Sequence, residues 1–566
     1  MKATERTLQQ ILHSAEQYVI PVFQRYYSWG KKDWEQLWED LLLLQETDEE
    51  KRRHFLGSIV CVPEKHMPGV ISAYQVIDGQ QRLMTLSILL CALRTAAKKK
   101  GWEELAAEIE ENYLIHKFKK NRERYKVYPR IRDREYYLTL VDGGESEKNI
   151  RLDLTYLVGS AYIYFLEQIE GKEGLLESEE TLRKLFVTLT AQLDFVLIVL
   201  DGENPYKIFK SLNSTGVDLG QGDLIRNHVF MAVSINYQDA FDDNYWRPLE
   251  KHFEEGGKLN GSLFASFFRD LLMSEGNYVV ENAVYEAFEK KYPLSQIEPL
   301  NLISDLKCQA KHYDLIRGGS SHANSQVNQA LQALRNLNIT TSYPLLLALL
   351  SLYEKQQLTD KELVEALQTI SGFVLRRYIC GESSRGYNRL FCTACRELKD
   401  KPLVNLKKYL KGRGWPSNEL FIPAFQRTKL YTGNYALAVL QGLELALQED
   451  SEPVLLHNCQ IEHVMPQTIA DDTNGNTWKK ALGDDWRRIH TEWLHTPGNL
   501  TLIGDDYNND MKNKPFEEKQ PTLRRSKVYL NQYFAPLDLI TWDEQEITKR
   551  AQELAQIAAR VWVGPL

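Results

Sequence analysis

The residues best suited to chemistry lie in two sets near opposite ends of a 566-residue chain. Near the C-terminus, Ile461-Glu462-His463-Val464-Met465-Pro466 is followed by Pro497-Gly498-Asn499-Leu500-Thr501-Leu502-Ile503, and then by Asn508. Hydrolysis of a phosphodiester needs an activated nucleophile and relief of the charge that builds on the phosphoryl oxygens. A His general base beside one divalent ion supplies both. His463 is the candidate base. Glu462 offers a hard oxygen to Mg²⁺ (or Mn²⁺), and Asn508 an amide oxygen to the same ion. Asn499, between a turn and a strand, can hold His463 in its working orientation. A lone Glu-His pair is usually structural. The ordered Glu-His, Asn, Asn set in a strand–loop–helix context makes it a candidate site. Lys512, Lys514, Lys519, Arg524, Arg525 and Lys527 follow as a basic cluster where DNA would need to lie, with Lys519 nearest the scissile phosphate.

The second set is Asp78-Gly79-Gln80-Gln81-Arg82, between a strand-like and a helix-like run. A helix N-terminus presents free N–H groups and the positive end of a dipole, so anions settle there. Gly79 lets the backbone approach closely, Arg82 can fork onto a phosphate, and Asp78 can hold a metal or orient water. No GxxxxGK[ST] occurs in the chain, so this is not a Walker loop. The bland alternative is a strand–turn–helix whose Asp caps the helix and whose Arg pairs with an acid.

Three further segments belong beside these. Ile20 to Trp29 (IPVFQRYYSW) places aromatics, Gln24 and Arg25 in one extended stretch. Aromatic faces and an amide suit a base, and Arg suits phosphate. Phe23, Tyr27 and Trp29 are the DNA-facing candidates, against the plainer reading of a core-packing strand. Leu212 to Asn227 contains Asn213 and Gly216, read as a helix-ending loop, and Asp223, read as the next helix start. Lys117 to Arg134 has nine basic residues in eighteen, with aromatics interleaved. It is either a backbone-tracking surface or a solvated face.

The elements that must position these residues are legible in outline. Phe55 to Val62, Tyr74 to Ile77 and Phe195 to Leu200 read as strands. Arg82 to Lys100 is Leu-rich, lacks Gly and Pro, and ends in three lysines, which predicts a helix with cations at its C-terminal end. Residues 240–400 read as mostly helical, with periodic stretches at Gln326 to Leu337 and Lys361 to Ile370. Gly318 to Ser321 and Lys411 to Pro416 are loop or linker points, and Tyr435 to Leu447 is a helix leading to the Glu-His motif. The expected domains are 1–235, 236–410 and 411–566, too long a chain for one core. The expected fold class is α+β and predominantly helical.

Composition excludes several alternatives. Hydrophobic residues make up 43% and charged residues 26%, so there is no compositional case for disorder. The net charge of −8 argues against a passive DNA-coating protein but leaves room for a local basic surface. Seven cysteines, Cys61, Cys91, Cys308, Cys380, Cys392, Cys395 and Cys459, are too sparse for a disulfide scaffold and fit a reducing cytoplasm. Cys392 and Cys395 form a lone CxxC without the second pair a zinc knuckle needs. The N-terminus has no apolar signal core and no run is long enough to span a bilayer, so a soluble, cytoplasmic protein is expected.

Ile20 to Trp29, Asp78 to Arg82 and Leu212 to Asn227 together resemble the N-terminal domain of GmrSD-type restriction enzymes, a domain similar in fold to ParB and sulfiredoxin. Ile461 to Pro466, Gly498 to Leu502, Asn508 and the Asn513, Phe516, Lys519 set resemble the HNH (ββα-metal) nuclease domain at the C-terminus of the same proteins. The match spans roughly the first 235 and last 160 residues, in family order. Two positions depart from the pattern. Met84 stands where Thr is more usual, and Glu462 rather than Asp precedes His463. The resemblance implies a type IV, modification-dependent restriction endonuclease of antiphage defence with NTPase activity. It implies nucleotide binding or hydrolysis (ATP, GTP or another NTP) at Asp78, Gly79, Gln80, Gln81 and Arg82, with Gln24, Arg25 and Asn213 lining the same pocket. It implies metal-dependent cutting at Glu462, His463, Asn499 and Asn508. The expected substrate is double-stranded phage DNA carrying hydroxymethylated or glucosylated cytosine, and a homodimer would place two centres on two strands. Two alternatives stand beside this. One is a phosphorothioate- or modification-sensing nickase within a larger defence system, with NTP as regulator. The other is a ParB-like DNA-binding protein with a decayed nuclease.

Overall fold

The computed structural model describes residues 2–21, 24, 26–46, 53–64, 71–143, 156–172, 174–200, 220–448, 459–469, 477–504 and 511–565. Phe23, Arg25, Asn213 and Asn508 lie outside the described residues. The fold is α+β and predominantly helical. Contacts divide the chain into two compact units, one of residues 1–248 with 289–300 and one of residues 249–288 with 301–566. The expected boundary after residue 235 falls inside the first unit, and the expected boundary after residue 410 inside the second.

The first unit is built on a six-stranded mixed sheet. Its strands are β1 (Lys2–Thr7), β2 (Gln17–Val19), β3 (His54–Pro63), β4 (Ala73–Asp78), β5 (Val127–Tyr128) and β6 (Leu193–Val199), in the order β1-β6-β3-β4-β2-β5. β3 pairs parallel to β6 and antiparallel to β4. The three strands expected from β-branched and aromatic runs are all present. Thr7 closes a capping box with Gln10 at the short helix α1 (Leu8–Leu12). Helix α2 (Lys31–Glu46) buries Trp34, Leu37, Trp38 and Leu41.

Helix α3 (Gln80–Lys99) runs through the middle of this core, with Leu83, Leu86, Ile88, Leu89, Leu90, Cys91 and Leu93 at 0% exposure. It is buried on every face from Leu83 to Arg94, and its polar Thr85, Ser87 and Arg94 are hydrogen-bonded inside the domain. Its terminal cations are used: Lys98 pairs with Glu110 at 3.0 Å and Lys99 with Glu170 at 2.9 Å.

The second unit is largely helical. It carries a two-residue ribbon, β7 (Glu254–Glu255) with β8 (Lys258–Leu259), and an antiparallel pair, β9 (Cys459–His463) with β10 (Leu500–Gly504). A core of Val464, Met465, Trp478, Trp493, Ile503, Phe516, Phe534, Trp542 and Ile547 sits against β9 and β10. Among the described residues no helix is long and apolar enough to cross a membrane. Cys392 and Cys395 lie on one helix, Tyr387–Arg396, as free thiols.

Candidate functional site

The second unit positions His463 through backbone register. β10 pairs with β9 so that Leu500 faces His463 and Thr501 faces Glu462. The 3-10 turn Pro497–Asn499 feeds β10, and its glycine is required by space. A Cβ on Gly498 would stand 2.4 Å from the Ile547 carbonyl oxygen of helix Glu544–Val561. Arg550 on that helix, fully buried, donates to the carbonyls of Gly498 at 2.9 Å and Leu500 at 2.7 Å. Gly498→Ala is expected to lose about 1–3 kcal/mol of stability through overpacking, read as a lowered denaturation midpoint of the full chain.

Asn499 is fully buried, and its amide ties the loop that follows β9 to Trp542 and Leu494. Its Oδ1 accepts from Met465 N at 2.7 Å and Trp542 Nε1 at 3.1 Å, and its Nδ2 donates to the carbonyls of Met465 and Leu494. Its own carbonyl accepts from Val464 N. Asn499 thus fixes the chain on the C-terminal side of His463 rather than touching the imidazole.

The imidazole itself meets a residue that the sequence did not single out. His463 Nε2 lies 3.1 Å from His495 Nδ1, and His463 Nδ1 lies 3.3 Å from Gln467 Nε2. Tyr431 stands edge-on to His463, with centroids 4.4 Å apart, and stacks on His495 at 5.4 Å. With the Gln467 NH₂ facing the ring, Nδ1 of His463 accepts and Nε2 turns its hydrogen toward His495. Burial pushes the His463 pKa down to about 3, with His495, Lys519 and His490 adding like-charge repulsion. Burial also lowers His495, helped by Lys429 and His490.

An unfolded chain takes this proton near the ordinary 6.5, whereas folded His463 refuses it down to about 3. Across that window the unfolded state binds more protons, so stability falls as pH is lowered. Denaturation midpoints measured from pH 7 to pH 4 should fall for the parent protein and fall less for His463→Gln.

Two expected roles are corrected by burial. Lys519, placed by its sequence position near the scissile phosphate, is 0% exposed. Its Nζ donates to Glu462 Oε1 at 2.7 Å and to the His463 carbonyl at 2.8 Å. Glu462, expected as a metal ligand, is therefore the counter-ion of a buried ammonium. Burial pushes its carboxyl up, and Lys519 opposes that shift. Helical phase explains the error: Phe516, Lys519 and Leu523 share the inner face of helix Phe516–Arg525. The remaining cations of the cluster stay at the surface. Lys512, Lys514, Arg524, Arg525 and Lys527 are exposed, and none has an ion-pair partner among the described residues.

In the first unit, the Asp78 to Arg82 turn is built as expected, but by different bonds. Gly79 sits at φ +91°, where a Cβ would meet the Ser58 carbonyl oxygen at 2.9 Å. No side chain caps α3. Arg82 donates to the Ser58 carbonyl at 3.1 Å and lies 4.0 Å from Asp78, both side chains about one-third exposed. Gln81 Oε1 accepts from Ser28 N at 2.8 Å, and its Nε2 donates to the Tyr26 carbonyl at 3.1 Å. Gln24 donates to the Ile77 carbonyl at 2.8 Å. Gln24, Gln80 and Gln81 are buried, and the amides of Gln24 and Gln81 tie Gln24, Tyr26 and Ser28 to the turn, while Asp78 and Arg82 remain reachable.

Tyr27, expected to face DNA, is a core residue. Its hydroxyl bonds Thr85 Oγ1 at 2.7 Å and accepts from Trp34 Nε1 at 2.9 Å. Trp29 packs partly buried against the same core. Beneath the segment, Arg130 lies 3.5 Å over the Tyr26 ring and pairs with buried Asp242, which also pairs with Arg226. Arg226 stood inside a segment singled out from the sequence. Arg130 stood inside another, the basic stretch from Lys117 to Arg134, but Asp242 lay in none. Six of the nine cations from Lys117 to Arg134 are paired: Lys117, Lys119, Arg122, Arg124, Arg130 and Arg134 with Glu111, Glu123, Glu64, Asp142, Asp242 and Asp239. Most of its charge is thus held in ion pairs within the first unit.

A family model described as the GmrSD restriction endonuclease N-terminal domain matches residues 8–230, and one for the C-terminal domain of GmrSD restriction endonucleases matches residues 415–557. The chain belongs to the GmrSD restriction endonuclease family. No curated protein matches it. Both constellations lie within matched segments of this GmrSD-family chain, the Asp78 turn in the first and the His463–His495 pair in the second.

Proposed function

We propose that this GmrSD-family protein is a nucleotide-dependent, divalent-metal-dependent endonuclease that cuts modified phage DNA, with His463 as the general base of an HNH-type ββα centre. The observation that carries this reading is the orientation of His463. Its Nε2 is held 3.1 Å from His495 Nδ1, while Nδ1 meets only the exposed Gln467 at 3.3 Å, so Nδ1 is the nitrogen assigned as proton acceptor. This is the arrangement of a positioned base, with one nitrogen oriented by a partner and the other left for the nucleophile's proton. A neutral imidazole is the form that accepts a proton.

The ion implied by the resemblance would neutralise charge on the scissile phosphate. Described residues do not complete an oxygen cage for it. Glu462 is engaged by Lys519, and the two imidazole nitrogens that converge are softer donors than Mg²⁺ prefers. The roles assigned here are therefore those of the side chains alone. His463 accepts the proton from water at Nδ1. His495 holds the ring. Asn499 fixes the chain beyond it. Lys512, Lys514 and the exposed arginines of helix Phe516–Arg525 approach phosphates of double-stranded DNA.

The N-terminal unit, proposed as ParB- and sulfiredoxin-like, is proposed to bind the NTP at the Asp78 turn. Arg82 takes a phosphate and Asp78 its metal or water, beside Gln80, Gln81 and Gln24. Cleavage of modified DNA would be followed with and without NTP, with and without Mg²⁺ or Mn²⁺, beside Arg82→Ala. The expected outcome is cutting that needs both metal and NTP and is lost or uncoupled from NTP in Arg82→Ala. Equal cutting by parent and Arg82→Ala at every NTP concentration would remove the nucleotide from the reading.

A further inference from the structure

Helix Pro299–Arg317 carries Cys308 and His312 four residues apart, and so on one face. Glu354, the last residue of helix Tyr343–Glu354, reaches the same face. Cys308 Sγ donates to Glu354 Oε2 at 2.8 Å, and His312 Nε2 lies 3.4 Å from that same oxygen. One potential ligand atom from each of the three falls within 4.8 Å of the others, and among the described residues this is the one group of three or more such side chains that converges so. All three belong to the second unit. We propose that Cys308, His312 and Glu354 form a divalent-metal site of the zinc class, separate from the nuclease centre and with a fourth position open to water.

Three observations support a built site over a chance cluster. The helices are pinned at that level by a reciprocal amide–hydroxyl pair, Gln309 Nε2 to Ser351 Oγ at 2.9 Å and Ser351 Oγ to Gln309 Oε1 at 3.2 Å. The spacing fits. Ligands at about 2.0–2.3 Å around a tetrahedral ion stand roughly 3.3–3.7 Å apart, and the imidazole–carboxylate separation is 3.4 Å. The thiol–carboxylate separation must widen from 2.8 Å, which Glu354, with its side chain 56% exposed, has room to allow. Finally, His312 Nδ1 is buried and bonded to nothing among the described residues, an uncommon state for a polar atom.

The donor set chooses the ion. A thiolate, an imidazole and one carboxylate favour a borderline-soft cation over Mg²⁺ or Ca²⁺. Entry of the ion replaces the thiol hydrogen: the Cys308 S–H bond breaks, a sulfur–metal bond forms and one proton leaves to solvent. The ion would then tie the two helices together, and because it binds the folded chain alone, it would raise stability.

Cobalt(II) is the probe, because cobalt bound to a thiolate has a ligand-to-metal charge-transfer absorption in the near ultraviolet that oxygen and imidazole ligands do not produce. The full chain, stripped with a chelator, would be titrated with Co²⁺ and then Zn²⁺. The expected result is a saturable thiolate–cobalt absorption that Zn²⁺ bleaches. It should be retained in His463→Gln and abolished in Cys308→Ser, with a melting temperature raised by Zn²⁺ in the parent but not in Cys308→Ser. Absence of that absorption in the parent would overturn the proposal, leaving Cys308 and Glu354 as a simple hydrogen bond. Its persistence in Cys308→Ser would overturn it equally, by placing the metal on another cysteine.

Discussion

Lys519→Met is expected to destabilise the C-terminal unit by about 3–5 kcal/mol, the range for breaking one side of a buried pair. The Lys519 ammonium is fully buried between Glu462 Oε1 and the His463 carbonyl. Removing it leaves the Glu462 carboxylate, whose side chain is 10% exposed, without its counter-charge. It also frees the carbonyl of His463, the proposed base. The double variant Glu462→Met with Lys519→Met should recover most of the loss, because apolar side chains of similar size satisfy the same space. Chemical denaturation of the parent, both single variants and the double variant would give the coupling energy directly. A Lys519→Met protein as stable as the parent would show that the pair is open to solvent, and would return Lys519 to the phosphate and Glu462 to the metal.

His463→Ala should lower the rate of DNA cleavage by about 10²–10⁴-fold, the usual contribution of a positioned general base. DNA binding should be unchanged, because the exposed cations of Lys512, Lys514, Arg524, Arg525 and Lys527 are untouched. His495→Ala should cost less and act differently. The His463 ring would lose its Nε2 partner and its tautomer would no longer be fixed, so the rate falls while the base remains. Burst kinetics on a nicked-circle substrate separate the two, and near-ultraviolet circular dichroism checks that each variant keeps its packed aromatic core. An unchanged cleavage rate in His463→Ala would assign the base elsewhere.

Local chemistry was legible where it depends on neighbours in sequence. The helix expected from Arg82 to Lys100 forms over Gln80–Lys99, because apolar continuity and terminal lysines are local signals. The strand–turn–helix around Gly79 was equally readable, since only a residue without Cβ fits beneath the Ser58 carbonyl. What failed was the assignment of faces. Tyr27 and Lys519 have the residue types of a nucleic-acid contact, but Thr85 with Trp34 in one case and Glu462 in the other draw them inward. For Lys519 the warning was present, since it lies on the same helical face as Phe516 and Leu523. His495 was missed for another reason. It precedes the Gly498-Asn499-Leu500 motif by only a few residues, yet its ring reaches His463 only once β9 and β10 have paired. Asp242, more than a hundred residues from Arg130, carried no local signal at all.

The most direct test of the account is a cleavage assay of the purified full chain on three matched DNAs: unmodified, glucosylated-hydroxymethylcytosine and phosphorothioate. Each would be digested with Mg²⁺ or Mn²⁺ and NTP, beside His463→Ala. The expected result is metal-dependent cutting confined to modified DNA and lost in His463→Ala. Binding of all three DNAs without a single cut under any metal or nucleotide would contradict it, and would leave a DNA-binding protein whose nuclease centre no longer works.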